Sequence, residues 1–206
     1  GTDSLVVLFD LFAQLERRLE KKMEKILPGD ACFFTQQVFL IGTQDPDGSP
    51  RFAAISWVSY TLGEPGCLVI SIWGTKRTKD NIARTGHLTA TVVTQDLLPF
   101  IEQNCNRQTY RKKGNTTGTP EIVQADTVHA PMLADCKFTY ECEVIKQVEI
   151  GETITYFAKI NKVHASEEVM ALEFFDLREI KPVIYSPENY FLPGEHLGQI
   201  GDFAGD

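Results

Sequence analysis

The sequence lacks the short motifs that mark several common enzyme classes. No GxGxxG follows a strand and no GxxxxGK[ST] occurs, so neither a Rossmann fold nor a P-loop is indicated. No GxSxG is present, and nothing singles out a carboxylate pair for acid–base chemistry. The four histidines are scattered, none in HExxH or HxxC spacing. A hydrolase or a metalloenzyme is therefore not favoured, and we expect no metal site.

Cysteine is also sparse, and its spacing points away from a disulfide framework. The five cysteines are an odd number without a CxxC pair. Buried, reduced thiols of a cytosolic protein are the favoured interpretation. No apolar run reaches the roughly 18 residues that a membrane span needs. The apolar stretch Leu5–Phe9 has no basic region before it, so we read no signal peptide. We therefore expect a soluble, cytoplasmic protein without membrane contact.

The charge balance argues against a nucleic-acid partner. The formal net charge is −8 over 206 residues, with a pI near 5.1, and such a surface repels phosphate backbones in general. The one basic stretch is the polar, turn-rich segment 104–120, with its cations at 107–113. We expect a surface loop there. Thirteen Phe, six Tyr and two Trp supply rings for packing or for a planar ligand.

The N-terminal residues predict an amphipathic helix. Apolar residues recur at steps of three and four through 4–26, with charges of both signs between them. Asp3 or Ser4 can cap its start, and Pro28-Gly29 ends it. We treat 1–28 as a helical arm and 29–206 as one domain. The arm either packs on its own domain or docks on a partner subunit, and the sequence does not separate these alternatives.

After residue 28 the pattern changes to strands separated by turn formers. We expect strands at 36–43, 51–60, 67–73, 88–94, 137–148 and 153–164, the first two forming a hairpin. Short helices are expected at 78–84, with Thr78 as N-cap and Gly86 beyond the end, and at 97–103, capped by Asp96. In 137–148, Phe138, Tyr140, Cys142 and Val144 form the apolar face. The fold class is mainly β, a closed antiparallel barrel with short helices.

The segment 71–82 carries the pattern most suggestive of a ligand. A buried strand ends, two adjacent cations follow, Lys76 and Arg77, and a helix starts. Helix N-termini favour phosphate because they present unpaired N–H groups and partial positive charge. The alternative is an ordinary capped helix with solvated cations. The strand 53–57 adds small residues beside a serine and a tryptophan, which lets a flat ligand approach the backbone; alternatively, Trp57 is simply core.

These segments together resemble the flavin-reductase-like (flavoredoxin-like) family. The similarity is carried by FLIGTQDPDGSPRFAAISW, GEPGCLVISI and TKRTKDNIARTG within 39–86, by HAPMLADCKFTYECEV at 129–144, and by IKPVIYSPENYFLPGEHLGQIGDFAG at 180–205. Their order and spacing match the family's D-x-D-G turn, A/S-W strand, S-I strand end and T-x-x-N-I helix start. The resemblance covers most of the chain after residue 30.

The resemblance implies a dimeric FMN-binding split barrel with the flavin near the subunit interface. The implied contacts to the isoalloxazine are Ser56, Trp57 and Val58, with strand-end contacts from Ser71 and Ile72. Those around the phosphate and ribityl chain are Lys76, Arg77, Thr78 and Asn81. Some positions depart from the family. Arg51 or Phe52 stands where the family often has a small polar residue, and Ala54 stands where it has a hydroxyl. Trp73-Gly74 takes the place of a common arginine. Gly151-Glu152-Thr153 takes the place of a Gly-Asp-His element. These departures weaken the case for rapid NAD(P)H-dependent reduction.

Three functions follow from this resemblance. The first is a flavin-dependent oxidoreductase that passes electrons between NAD(P)H, or a redox-protein partner, and bound flavin. No side chain is assigned as catalytic, because the flavin itself accepts the hydride. The second is a non-catalytic flavin-binding electron carrier. The third is a pyridoxamine-phosphate-oxidase-like protein, which needs a second phosphate pocket, and 111–113 is the one candidate for it.

Overall fold

The computed structural model describes residues 35–105 and 120–204. The arm expected at 1–28, with its helix at 4–26, and the cations of 107–113 lie outside these ranges. Among the described helices, none combines the length and apolarity that crossing a bilayer requires.

The described chain consists mainly of strands, as predicted. In chain order the strands are β1 (Gln36–Gln37), β2 (Phe39–Gln44), β3 (Pro50–Ile55), β4 (Val58–Thr61), β5 (Cys67–Ile72), β6 (His87–Val92), β7 (Ile122–Gln124), β8 (Pro131–Leu133), β9 (Phe138–Ile150), β10 (Thr153–Ala165), β11 (Ile184–Ser186) and β12 (Asn189–Phe191). The α-helices are α1 (Arg77–Thr85), α2 (Leu98–Asn104), α3 (Glu167–Met170) and α4 (Leu177–Ile180), and a 3₁₀ turn at Gln95–Leu97 precedes α2.

Seven strands form one curled antiparallel sheet in the order β3-β2-β6-β9-β10-β5-β4. Its two edge strands, β3 and β4, are consecutive in the chain and only Ser56 and Trp57 separate them. The described strands β3 and β4 do not pair with each other, so the sheet is open between them. The predicted antiparallel split barrel with short helices is confirmed, although it is less closed than we expected. The sequence predicted one strand over 51–60. It breaks at Ser56 because each half pairs with a different neighbour, β3 with β2 and β4 with β5.

Two apolar clusters cover the two faces of this sheet. One unites alternate residues of five strands with Ile82 of α1 (Phe39, Ile41, Leu68, Ile70, Ile72, Leu88, Ala90, Cys142, Tyr156, Ala158). The other takes the opposite face of β2, with Leu40, and packs it against Phe100 and Ile101 of α2 and against Val183. Burial on both faces explains why β2 reads as a continuous apolar run.

The ribbon formed by β7 and β8 lies against the second face of the sheet at Gly42. A Cβ on Gly42 would lie 2.3 Å from the Pro131 carbonyl oxygen and 2.4 Å from Thr89 Oγ1. The Thr89 hydroxyl also donates to that carbonyl at 2.6 Å. Glycine at position 42 is therefore what allows the ribbon to approach the sheet this closely.

Several local predictions need correction. Thr78 is not the N-cap of α1, because Lys76 takes that position and Thr78 lies buried in the first turn. Asp96 caps no helix, because it lies within the 3₁₀ turn and Leu97 takes the N-cap position of α2; the Asp96 carboxylate accepts a hydrogen bond from the Thr94 hydroxyl at 2.6 Å. Gly86 does end α1 in the left-handed conformation (φ 69°), and its N–H donates to Ile82 O.

Candidate functional site

The start of α1 presents main-chain donors that the helix itself does not use. Gly74 adopts φ +71° and Lys76 is extended, which aims the chain into the helix. The Lys76 carbonyl accepts hydrogen bonds from the N–H groups of Lys79 (2.9 Å) and Asp80 (3.3 Å). No side chain caps the helix, so the N–H groups of Arg77 and Thr78 keep no intrahelical acceptor. This is the geometry that favours an anion.

Three cations surround this helix start, and they are used differently. Arg77 is half exposed, and its Nε lies 3.1 Å from Asp45 Oδ1. Lys79 Nζ donates to two carbonyl oxygens, those of Gly74 at 2.9 Å and Glu152 at 2.8 Å. Within residues 35–105 and 120–204, no ion pair or side-chain hydrogen bond engages Lys76. Lys76 and the outer edge of Arg77 are therefore the cations available to a ligand.

A buried carboxylate ties the helix start to the hairpin of β2 and β3. Asp45 is 5% exposed and contacts Arg77, Arg51 (Nε–Oδ2 3.6 Å) and Asn81 (Nδ2–Oδ1 2.8 Å). Arg51 Nε is the one buried side-chain nitrogen or oxygen of the described chain without a hydrogen-bond partner. Its attraction to Asp45 is therefore ionic only. Two guanidiniums and one carboxylate leave this cluster with one net positive charge, which suits an anionic ligand.

Asn81 serves this network, which limits its predicted role. Its amide nitrogen donates to Asp45 Oδ1 and also to Thr43 Oγ1 at 3.2 Å. An ionised carboxylate only accepts hydrogen bonds, which fixes the amide nitrogen toward Asp45. Both amide hydrogens are thus committed, and Asn81 is 2% exposed. In this arrangement it anchors α1 and does not offer a donor to a ligand.

The predicted contacts to the isoalloxazine ring lie at the edge of the sheet, where β4 begins and β5 ends. The Trp57 carbonyl accepts from Ser71 N at 2.9 Å, and Ser71 Oγ lies 2.8 Å from Thr155 Oγ1. Trp57 is 43% exposed and faces Ser71 across the strand pair. Trp73, two residues beyond Ser71, shares that face and is 65% exposed. The two exposed rings offer apolar surface that a flat ligand could contact.

The structure thus brings the predicted residues into two adjacent groups, with some differences in accessibility. Ser56, Trp57 and Ser71 are at least partly accessible, whereas Ile72 is buried and Val58 packs on the core. Of the second group, Lys76 and Arg77 are accessible, and Thr78 (4% exposed) and Asn81 are not.

Sequence reasoning missed Asp45, Lys79 and Trp73 as parts of this site. Asp45 had been interpreted only as a turn former in D-P-D-G. The one signal for Lys79 and Trp73 was their position beside the cations.

A second buried carboxylate, Glu141, lies elsewhere on the sheet. It is fully buried and accepts hydrogen bonds from Asp126 N (2.9 Å), Thr127 N (2.5 Å), the Thr127 hydroxyl and His164 Nε2 (2.5 Å). Burial opposes its ionisation, but the hydrogen bonds from Thr127, His164 and the two backbone N–H groups outweigh burial and lower the pKa of Glu141 to about 2. The alternation of its strand predicts Glu141 on the polar face, opposite the apolar face that carries Tyr140 and Cys142, and that polar face is covered as well.

The side chains of Asp126, Glu141 and His164 approach one another closely enough to hold a metal ion. Their hydrogen bonds argue for a structural role instead. Both Glu141 oxygens already accept two donors each, and Lys162 pairs with Asp126. A metal would have to displace these partners.

The described thiols are free and protected. Cys67, Cys105, Cys136 and Cys142 form no disulfide. Burial raises the pKa of Cys105 to about 11 and the pKa values of Cys136 and Cys142 to about 12. Such thiols are poor nucleophiles at neutral pH. The expected burial is confirmed for Cys67 and Cys142, whereas Cys105 and Cys136 are only partly buried.

Comparisons with known proteins identify the family and the fold. The family model described as flavin reductase like domain matches residues 31–191. A flavoredoxin from Methanosarcina acetivorans aligns with TM-score 0.74 at 20% identity, covering 87% of this chain and 97% of that one. Flavoredoxin of Desulfovibrio vulgaris (Miyazaki F) aligns with TM-score 0.72 at 22% identity, covering 89% and 100%. A Shewanella frigidimarina protein with a split barrel domain gives 0.70 at 21% identity, covering 85% and 93%. No curated protein sequence matches.

Proposed function

This chain belongs to the flavin reductase like family, and from that membership we propose that it is an FMN-binding flavoprotein that transfers electrons. The observation that carries the choice of FMN is the start of α1. Unused N–H groups of Arg77 and Thr78, the cation of Lys76 and the exposed edge of Arg77 together suit a terminal phosphate monoester. The donor set therefore fits the phosphate end of FMN.

The remaining groups fit the rest of such a ligand. Trp57 and Trp73 offer exposed rings, and Ser71 pairs with Trp57 across the strands. The main chain at Ser56 and Trp57, outside the regular strands, offers polar groups to the edge of a heterocycle. When bound, the flavin supplies hydride and electron chemistry, while the chain's own residues bind and orient it.

A comparison of FMN with riboflavin tests the phosphate assignment. The double change Lys76→Ala and Arg77→Ala should weaken FMN binding by about 1–3 kcal/mol, roughly 5- to 150-fold in Kd, because charged hydrogen bonds to the phosphate are lost. Riboflavin has no phosphate, so its Kd should stay nearly constant. The two partly exposed tryptophans allow both titrations by fluorescence quenching.

The control is Lys146→Ala, since Lys146 is an exposed cation on β9. An FMN affinity that is equal in the double variant and this control would refute the phosphate assignment. A wild-type protein that binds neither flavin would refute FMN binding altogether.

The route of electrons is a separate proposal. The oxidoreductase accepts hydride from NAD(P)H; the alternative is an electron carrier reduced by a protein partner. Trp73 and Thr153 favour the carrier, because they stand where the family commonly has Arg and His. Anaerobic addition of NADH to the FMN-loaded protein distinguishes the two. Rapid bleaching of the flavin absorbance supports the reductase, whereas bleaching by dithionite alone supports the carrier.

We also propose a homodimer with the flavin near the subunit interface. Support comes from four exposed apolar side chains: Trp57 just before β4, Trp73 just after β5, and Val148 and Ile150 on β9 (43%, 65%, 39% and 76% exposed). A second copy covering them would remove apolar area from water. Sedimentation equilibrium with and without FMN tests this. A monomer under both conditions would contradict it.

A further inference from the structure

Lys79 joins three parts of the molecule at the proposed phosphate site. It lies in the first turn of α1, and its ammonium donates to the carbonyl oxygens of Gly74 (2.9 Å), in the loop before the helix, and of Glu152 (2.8 Å), in the turn between β9 and β10. The Glu152 carbonyl also accepts from Gly74 N at 3.2 Å. The helix, the loop 73–76 and the β9–β10 turn therefore meet at one ammonium group.

This loop has few other restraints within the described ranges. No side chain caps α1, and Gly74 is a glycine at positive φ, the most permissive residue for the backbone. Lys76 and the N–H groups of Arg77 and Thr78 can share one anion only if the loop keeps its conformation. Holding donors in place before binding increases affinity because less conformational entropy is lost on binding.

We propose that Lys79 is a positioning residue, which fixes loop 73–76 against the β9–β10 turn so that Lys76 and the start of α1 can bind the flavin phosphate together. This inference rests on the proposed FMN site. Two of the three donors of the Lys79 ammonium are taken by carbonyl oxygens of the loop and the turn, so we assign Lys79 to positioning the loop and not to binding the phosphate. Its contribution should therefore appear as loop order.

The test compares Lys79→Met, which has similar length but no donor, with Lys79→Arg, which keeps charge and donors. The Met variant should lose about tenfold in FMN affinity and leave riboflavin affinity within about twofold. The Arg variant should recover most of the loss. The loss should persist at about 0.5 M salt, because screening removes the effect of a remote charge but not of a displaced loop. If the difference in FMN affinity between Lys79→Met and wild type disappeared when salt is added, the proposal would be overturned.

A ligand-free measurement separates this inference from the proposed function. In wild-type protein without flavin, the Gly74 amide should be protected from hydrogen exchange by its bond to Glu152 O. Lys79→Met should lower that protection at least about tenfold, and Lys79→Arg should not. Equal protection in all three proteins would overturn the positioning role, even if FMN binds. Failure of wild-type protein to bind either flavin would instead refute the FMN site.

Discussion

Within residues 35–105 and 120–204 two carboxylates are buried, and their partners differ in kind. Glu141 is surrounded by backbone N–H groups, a hydroxyl and an imidazole, all from β10 and the loop 125–130. Asp45 is surrounded by two guanidiniums and an amide. The side chains of Arg51 and Arg77 are 40% and 53% exposed, so each has one edge in contact with solvent.

This difference indicates which carboxylate lies at a ligand site. Every acceptor position of Glu141 is filled by groups that are themselves fixed, so its network stabilises the fold. The partners of Asp45 are long, charged side chains, and a guanidinium can bind a carboxylate on one edge and an anion on another. Burial of the carboxylate alone does not distinguish a structural role from a place at a ligand site. The distinction depends on whether its partners are fixed and whether they keep donors for a further acceptor.

The largest expected effect is at Glu141. Replacing it with Gln exchanges one carboxylate oxygen for an NH2 group, which donates hydrogen bonds and cannot accept them. Donors of the 125–130 loop that faced this oxygen are then left unpaired. We expect the free energy of unfolding to fall by about 3 kcal/mol, measured by urea denaturation. Glu143→Gln is the matched control, because its pair with Lys159 (3.4 Å) is at the surface, and should cost less than about 1 kcal/mol. Equal losses of stability in Glu141→Gln and Glu143→Gln would show that the buried network of Glu141 contributes no more than a surface ion pair.

Acid should abolish most of the difference in the free energy of unfolding between wild type and Glu141→Gln. The pKa of Glu141 falls from its ordinary 4.5 to about 2 in the folded protein. Its contribution to stability is therefore complete above about pH 4.5 and is lost as the pH falls toward 2. Urea denaturation of wild type and Glu141→Gln between pH 6 and pH 2 should show curves that converge. A constant gap across this range would show that the pKa of Glu141 is the same in the folded and the unfolded protein.

The smallest expected effect on stability is at Asp45. In Asp45→Asn, the half-exposed Arg51 and Arg77 can turn toward water, and one oxygen remains as acceptor for Asn81. The free energy of unfolding should fall by about 1 kcal/mol, less than for Glu141→Gln under identical conditions. A loss as large as that of Glu141→Gln would mean that the Asp45 network is as rigid as the other one.

Strand positions were largely predictable from the sequence, because alternation and turn formers are local signals. The ends of β9 and β10, for example, lie within about two residues of the expected bounds. The break at Ser56 was not predictable, because it depends on β3 and β4 finding partners at opposite edges of the sheet. The burial of Glu141 was missed for a similar reason. Its strand alternates correctly, but the covering loop 125–130 is a tertiary feature.

The site was predictable only in part. The cations at 76 and 77 and the helix after them follow from local sequence, and the resemblance supplied the strand residues. The hydrogen-bond partners of the side chains were not predictable from the sequence. Those of Asn81 and Lys79 depend on which acceptors the fold places beside them. Helix capping was similarly misjudged at Thr78, where a hydroxyl in the sequence gave no indication of its burial.

The two-residue break at Ser56 and Trp57 has a consequence for the order of folding. Each of the hairpins β2–β3 and β4–β5 can close through a short local turn on its own side of the break. The sheet that connects them runs through β6, β9 and β10, up to about a hundred residues further along the chain. Neighbours in sequence thus become the two edges of one sheet only after distant strands have paired. Such late, long-range closure predicts slow folding, with the ligand-facing edge assembled last.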